Sequence, residues 1–218
     1  EYTYESEWKP LIDMFNDLKN DSTMILSAEH FSSRLKNGGL QRLSEIISEF
    51  DTDELEVVYY FRRQDLYFQS WYSTYIKAGG KKTIREIYPG LLRDRWFFDF
   101  EFVKSKWAEY FPKAKVSLIP FDYVKANGSV IEHFFSEFVY RDLSAFDFEI
   151  PKSESNASWS AAMIGLGRSV NKIYGNELKH RYQLLESINR NVFGSEGSKY
   201  IVPSSVSRKI LAQYKEAN

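Results

Sequence analysis

Residues 55–80, LEVVYYFRRQDLYFQSWYSTYIKAGG, constrain the fold more than any other stretch of the chain. Leu55 to Phe61 is a run of apolar, β-branched and aromatic residues carrying one charge, the pattern of a strand buried on both faces of a parallel sheet. Arg62 and Arg63 mark the C-terminal end of that strand. Asp65 suits the start of a helix, as a cap or as a first-turn charge favoured by the dipole. The helix is expected to run to about Ala78, with Gly79 and Gly80 as its stop. In an open α/β sheet, ligands gather at the carboxyl ends of strands, where helix N-termini point. Arg62 therefore stands where an anion would bind. Ser70, eight positions later and two turns into the helix, can present a hydroxyl on the same side. Arginines at such a junction also occur as solvated surface residues, and spacing alone leaves both readings open.

Further apolar runs extend the α/β pattern. Trp8, Leu11, Ile12, Phe15 and Leu18 recur at helical spacing, so residues 5–19 read as an amphipathic helix. Thr23–Ser27 (TMILS) reads as a short buried strand with Glu29 and His30 at its carboxyl end. Gly38-Gly39 is expected to break the chain before a helix carrying Leu40, Leu43, Ile46, Ile47 and Phe50. Residues 100–111 form another helix, ended by Pro112. Lys115–Pro120 (KVSLIP) is a third strand, followed by Asp122, a turn at Asn127-Gly128 and a helix with the stripe Ile131, Phe134, Phe135 and Phe138. His133 falls on the polar side of that helix, at the surface. Pro151–Ser155 reads as a linker, and Asn156-Ala-Ser-Trp-Ser as the cap of a helix ending at Gly175. Gly165 and Gly167 sit inside that helix, where small residues permit close packing. Alternating strands and helices imply parallel pairing with right-handed crossovers.

At 218 residues the chain is the size of one domain, and 17% aromatic content argues against disorder. A net charge of −1 leaves no global field to attract nucleic acid or an acidic membrane, so an anion site must be local. The absence of cysteine excludes disulfides and thiolate metal sites and favours a reducing compartment, the cytoplasm. No apolar run approaches the ~18 residues of a membrane span. Gly80-Lys81-Lys82-Thr83 is not a phosphate-binding loop: the motif needs a glycine where Tyr75 stands, and it should follow a strand. Lys81, Lys82, Arg85, Arg93 and Arg95, within the mixed segment 81–98, either line an acceptor groove or form a solvated loop.

Arg62, seven residues, then Ser70, at the end of a strand and into the next helix, resembles the 3′-phosphate-binding segment of sulfotransferases. Those enzymes use 3′-phosphoadenosine 5′-phosphosulfate (PAPS) as donor. The longer string FRRQDLYFQSWYSTYIKAG is similar to that of bacterial carbohydrate sulfotransferase-like proteins. MILSAEHFSSRL, KVSLIPFDYVKANGSVIEHFFSEF and NASWS resemble further segments of the same family. The resemblance implies a three-layer α/β fold of the phosphate-loop (P-loop) nucleotide-binding type, with a parallel central sheet flanked by helices. It implies that Arg62 and Ser70 hold the donor's 3′-phosphate, that Glu29 or His30 is the general base, and that Asp122 orients its neighbours. It implies a carbohydrate acceptor and no metal. Read from the residues alone, His30 is equally a loop histidine and Glu29 a first-turn carboxylate.

The family's first strand, and the loop of Lys, Thr, Gly and Ser that cradles the 5′-phosphosulfate, have no counterpart here, nor does the cytosolic enzymes' late Arg-Lys-Gly motif. The chain thus reads as a single sulfotransferase-like domain, 1–218, truncated at its N-terminus. In a eukaryote the resemblance would instead place it in the Golgi lumen. The expected function is sulfuryl transfer from PAPS to a carbohydrate hydroxyl. A second expectation, from another class, is a non-catalytic module of the same fold that binds a glycan or a protein. Sequence upstream of Glu1 separates the two. A phosphate-loop kinase is a weaker third, since no Walker signature appears.

Overall fold

The computed structural model describes residues 7–18, 22–28, 31, 35–139, 159–175, 180–193 and 201–214. The chain forms two compact units. The first comprises Glu1–Phe61 and Arg95–Asp147, the second Arg62–Asp94 and Phe148–Asn218. The fold is helix-rich α/β with a small parallel sheet.

In the first unit, strand β1 (Glu56–Phe61) pairs in parallel with β2 (Lys115–Pro120), Glu56 opposite Lys115 and Phe61 opposite Pro120. Both strands lie where their apolar runs predict. The register brings the Lys115 ammonium within 3.0 Å of the Glu56 carboxylate, which also accepts from the Ser117 hydroxyl at 2.8 Å. Side chains alternate across β1 as a strand requires. Val57 packs on the core, and Tyr59 and Phe61 meet Phe100 at ring distances of 6.1 and 5.1 Å. Tyr60, one step out of phase, meets His133. Residues 57–61 are half-buried rather than fully enclosed, and among the described residues β1 has one strand partner, not two.

Helix α1 (Lys9–Asn16) and helix α2 (Asn37–Ile47) precede β1. Ile12, Ile46 and Phe50 form one apolar cluster, which Trp8, Phe15 and Met24 complete. Leu40 and Leu43 join Val103 and Trp107 of helix α6 (Phe100–Tyr110), and Phe111 just after it, in another. Gly38 and Gly39 do not break the chain. They lie in the first turn of α2, where the burial of Leu40, Leu43 and Ile46 outweighs a glycine cost of ~1 kcal/mol each.

Thr23–Ser27 is not a strand. Residues 22–28 take no regular structure, and only Met24 is turned inward, while Ile25 and Leu26 are 43% and 37% exposed. An apolar run becomes a strand only when a neighbour satisfies its backbone, and no ladder partner meets this one among the described residues.

In the second unit, helix α3 (Gln64–Lys77) ends as expected, at Ala78 with Gly79 at φ 101°. Asn171 closes that end. Its Nδ2 donates to the carbonyls of Ile76 and Gly80, both at 2.8 Å. Asn171 lies on helix α9 (Ala161–Tyr174), capped by the Ser160 hydroxyl and stopped at Gly175. A Cβ on Gly167 would stand 2.8 Å from the Trp159 ring and 3.2 Å from Ile76, so close packing requires glycine there. Buried Trp159 donates from Nε1 to Glu186 on helix α10 (Arg181–Ile188) at 2.8 Å. The Lys77 ammonium lies 5.3 Å from the Trp159 ring and 3.9 Å from Glu186. Burial pushes Lys77 below the usual lysine range, and the Glu186 charge opposes that shift.

Part of the segment 81–98 is more ordered than its mixed composition suggests. Helix α4 (Ile84–Leu91) opens with a capping box, Thr83 and Glu86 each bonding the other's backbone N–H. Helix α5 (Arg95–Phe98) belongs to the first unit. Helix α11 (Ser204–Gln213) completes the second, where the Tyr214 hydroxyl donates to the Leu92 carbonyl at 2.7 Å. Residues 151–158, with the Pro151–Ser155 segment and the Asn156-Ala-Ser start, lie outside the described residues. Among the described residues no helix is long and apolar enough to cross a membrane.

Candidate functional site

Arg62 follows β1 directly and precedes α3, whose first residue is Gln64. Arg62 and Ser70 both belong to the second unit, and both are half-buried. Helix geometry sets Ser70 about 9 Å along the axis from Gln64, in the second turn.

Arg63 is committed elsewhere. It occupies the N-cap position of α3, and its guanidinium bonds the Asp65 carboxylate at 2.7 and 3.1 Å. Asp65 is buried, and it also accepts from the Leu66 N–H at 2.9 Å and the Ser207 hydroxyl at 2.6 Å. Burial alone would raise its carboxyl. Hydrogen bonds from Arg63 and Ser207, the Arg63 charge and the Leu66 N–H outweigh it, and the net shift is downward. Asp65 thus charges the first turn of α3 as expected, and it pairs with the Arg63 guanidinium. Ser207, the α11 residue that helps hold this carboxylate, lies 142 positions downstream and has no local sequence signal. Gln69 of α3 adds a second tie, accepting from the Ile201 N–H at 3.0 Å. Tyr67, one turn into α3, has its phenol pushed up by burial.

Glu29 and His30, the expected bases, lie outside the described residues. Asp122 is half-buried in the first turn of helix α7 (Phe121–Asn127), in the first unit.

A second histidine departs from expectation. His133, on helix α8 (Val130–Phe134), is half-buried, not a surface residue. Its Nδ1 lies 2.9 Å from the Tyr60 hydroxyl, and the rings meet edge-on at 5.8 Å. The aromatic stripe after it continues in a wider π turn, Phe135–Val139. The two partners are 73 positions apart, Tyr60 on β1 and His133 on the second helix after β2.

Among known proteins, no family model, no curated protein and no solved structure matches this chain.

Proposed function

We propose that the protein is a PAPS-dependent sulfotransferase transferring a sulfuryl group to a carbohydrate hydroxyl, on a three-layer fold of the P-loop type. The observation that carries the reading is the junction at residues 61–64. A parallel strand ends at Phe61, Arg62 follows it, and a long helix begins at Gln64 with Ser70 in its second turn. Arg62, and not Arg63, has the spacing to Ser70 that the resemblance assigns to the phosphate ligand. Its planar fork can meet two phosphate oxygens at once, with a charge that does not titrate.

In this reaction the acceptor oxygen attacks the donor's sulfur. The bond from sulfur to the bridging phosphate oxygen breaks, and adenosine 3′,5′-bisphosphate leaves. The acceptor's hydroxyl proton passes to Glu29 or His30. A sugar hydroxyl is a weak acid, so it must lose that proton as it attacks. Arg62 and Ser70 hold the 3′-phosphate away from the reacting centre and fix the donor's position.

The test is calorimetric titration of the full-length protein with adenosine 3′,5′-bisphosphate and, separately, with adenosine 5′-monophosphate. A clear preference for the bisphosphate is expected. Equal affinity for the two nucleotides overturns the proposal.

A further inference from the structure

Beyond β2, the short helices α7 and α8 and the π turn line an open depression of about 330 Å³ in the first unit. That volume falls within the ~300–1,000 Å³ of small-molecule sites. Its lining includes Tyr123, Asn127, Ser129, Glu132, His133 and Ser136. We propose that this depression binds a neutral saccharide. The proposal is independent of the donor-site reading, because none of these residues belongs to the second unit.

Three observations carry it. Tyr123 is 69% exposed, a large ring on the lining with its apolar face in water. The C–H face of a pyranose covers such a ring without burying a polar group. His133 is held from behind. The phenol of Tyr60 is pushed up by burial and by the Glu137 charge, so it stays protonated at neutral pH. With a neutral imidazole, that phenol donates to Nδ1 and the proton of the ring sits on Nε2, a donor.

The remaining polar groups are braced in ways that leave further bonding capacity. Asn127 donates to the Tyr123 carbonyl at 2.8 Å, which leaves its side-chain oxygen as an acceptor. Ser129 accepts from the Glu132 N–H at 3.4 Å, which leaves its hydroxyl proton. Ser136, on the π turn, donates to the His133 carbonyl at 3.2 Å. Such turns recur at functional sites. A set that mixes donors and acceptors suits hydroxyls, each of which does both. The carboxylates of Glu132 and Glu137 disfavour a phosphate, a sulfate or a uronate.

The experiment is saturation-transfer NMR on the full chain with maltotriose, cellotriose and tri-N-acetylchitotriose at roughly millimolar concentration, and a hyaluronan tetrasaccharide as the anionic comparison. Transfer to the ring protons of at least one neutral trisaccharide is expected. Tyr123→Ala, at an exposed position, should weaken that binding by about 3- to 10-fold. Tyr174→Ala, an exposed tyrosine of the second unit, should leave it unchanged. No transfer to any of the three neutral probes overturns the proposal. So does equal transfer in Tyr123→Ala, or stronger binding of the anionic tetrasaccharide.

Discussion

The guanidinium of Arg63 meets the carboxylate of Asp65 at two points, Nε to Oδ1 at 2.7 Å and a terminal nitrogen to Oδ2 at 3.1 Å. The two partners are unequally placed: the Arg63 side chain is 54% exposed and that of Asp65 only 1%. The arginine remains partly hydrated while it satisfies a carboxylate that is not, so the pair avoids most of the desolvation cost of a fully buried one. Ser207 supplies a further bond to the same carboxylate, which ties α11 to the start of α3.

Asp65 should therefore make stability depend on pH. Its folded pKa lies below its unfolded value of about 3.9. The stabilisation is fully present above that unfolded value and is lost as pH falls through the folded one. At pH 7, Asp65→Asn should cost ~1.5–3 kcal/mol, the range for hydrogen bonds to a charged group, and Ser207→Ala should cost less. Urea unfolding in the acid range should show the wild type converging on Asp65→Asn. A constant gap between the two proteins from pH 7 into that range would sink the assignment.

The two glycines of α9 should respond oppositely to alanine. A Cβ on Gly165 would meet nothing within 4 Å, so Gly165→Ala should stabilise by ~0.5–1 kcal/mol through helix propensity. A Cβ on Gly167 would meet the Trp159 ring at 2.8 Å, so Gly167→Ala should destabilise by ~1–3 kcal/mol through overpacking. Thermal unfolding of the two variants, followed by circular dichroism, checks both signs.

What was legible in the sequence was local. Leu55–Phe61 and Lys115–Pro120 declare themselves as strands because their β-branched and aromatic residues have nowhere else to be buried, and they pair in parallel. TMILS carries the same signal and fails, because a strand also needs a partner that composition does not name. The Thr83–Glu86 capping box was in plain view within a segment whose basic residues suggested a loop. Gly38-Gly39 misled in the other direction, since tertiary burial of Leu40 overrides glycine's preference. For the candidate site, Arg62 and Ser70 were singled out by their places at a strand-to-helix junction together with a family resemblance. Ser207 beside Asp65 and Tyr60 beside His133 do not, because each pair joins residues more than a helix apart in sequence.

The proposed base can be identified by kinetics in the full-length protein. Of Glu29→Gln and His30→Ala, the one that removes the base should lower turnover by ~10²-fold or more. Donor affinity should be nearly unchanged in that variant, since the lost interaction acts in the transition state. The neighbouring residue points elsewhere on any regular element, so its variant should keep most of its activity. Full activity in both would remove the pair from the mechanism.

Arg62 and Arg63 should separate cleanly in nucleotide binding. Consecutive residues leaving a strand point to opposite sides, so only one can face a bound phosphate directly. Arg63 already bonds Asp65 at two points, and removing its side chain would first expose an unbalanced buried carboxylate. Its loss should register as lower stability, with the preference for a 3′-phosphate kept. Arg62→Ala should instead weaken adenosine 3′,5′-bisphosphate by about 10- to 150-fold, the equivalent of ~1.5–3 kcal/mol. Affinity for adenosine 5′-monophosphate should hardly change, because that nucleotide lacks the group Arg62 would hold. Ser70→Ala should cost less than Arg62→Ala, since a neutral hydroxyl is lost rather than a charge. Calorimetric titration of the three variants, with unfolding midpoints measured in parallel, distinguishes binding from stability. If the preference survives in Arg62→Ala and vanishes in a folded Arg63→Ala, the phosphate ligand is Arg63, and its bond to Asp65 must open when nucleotide binds.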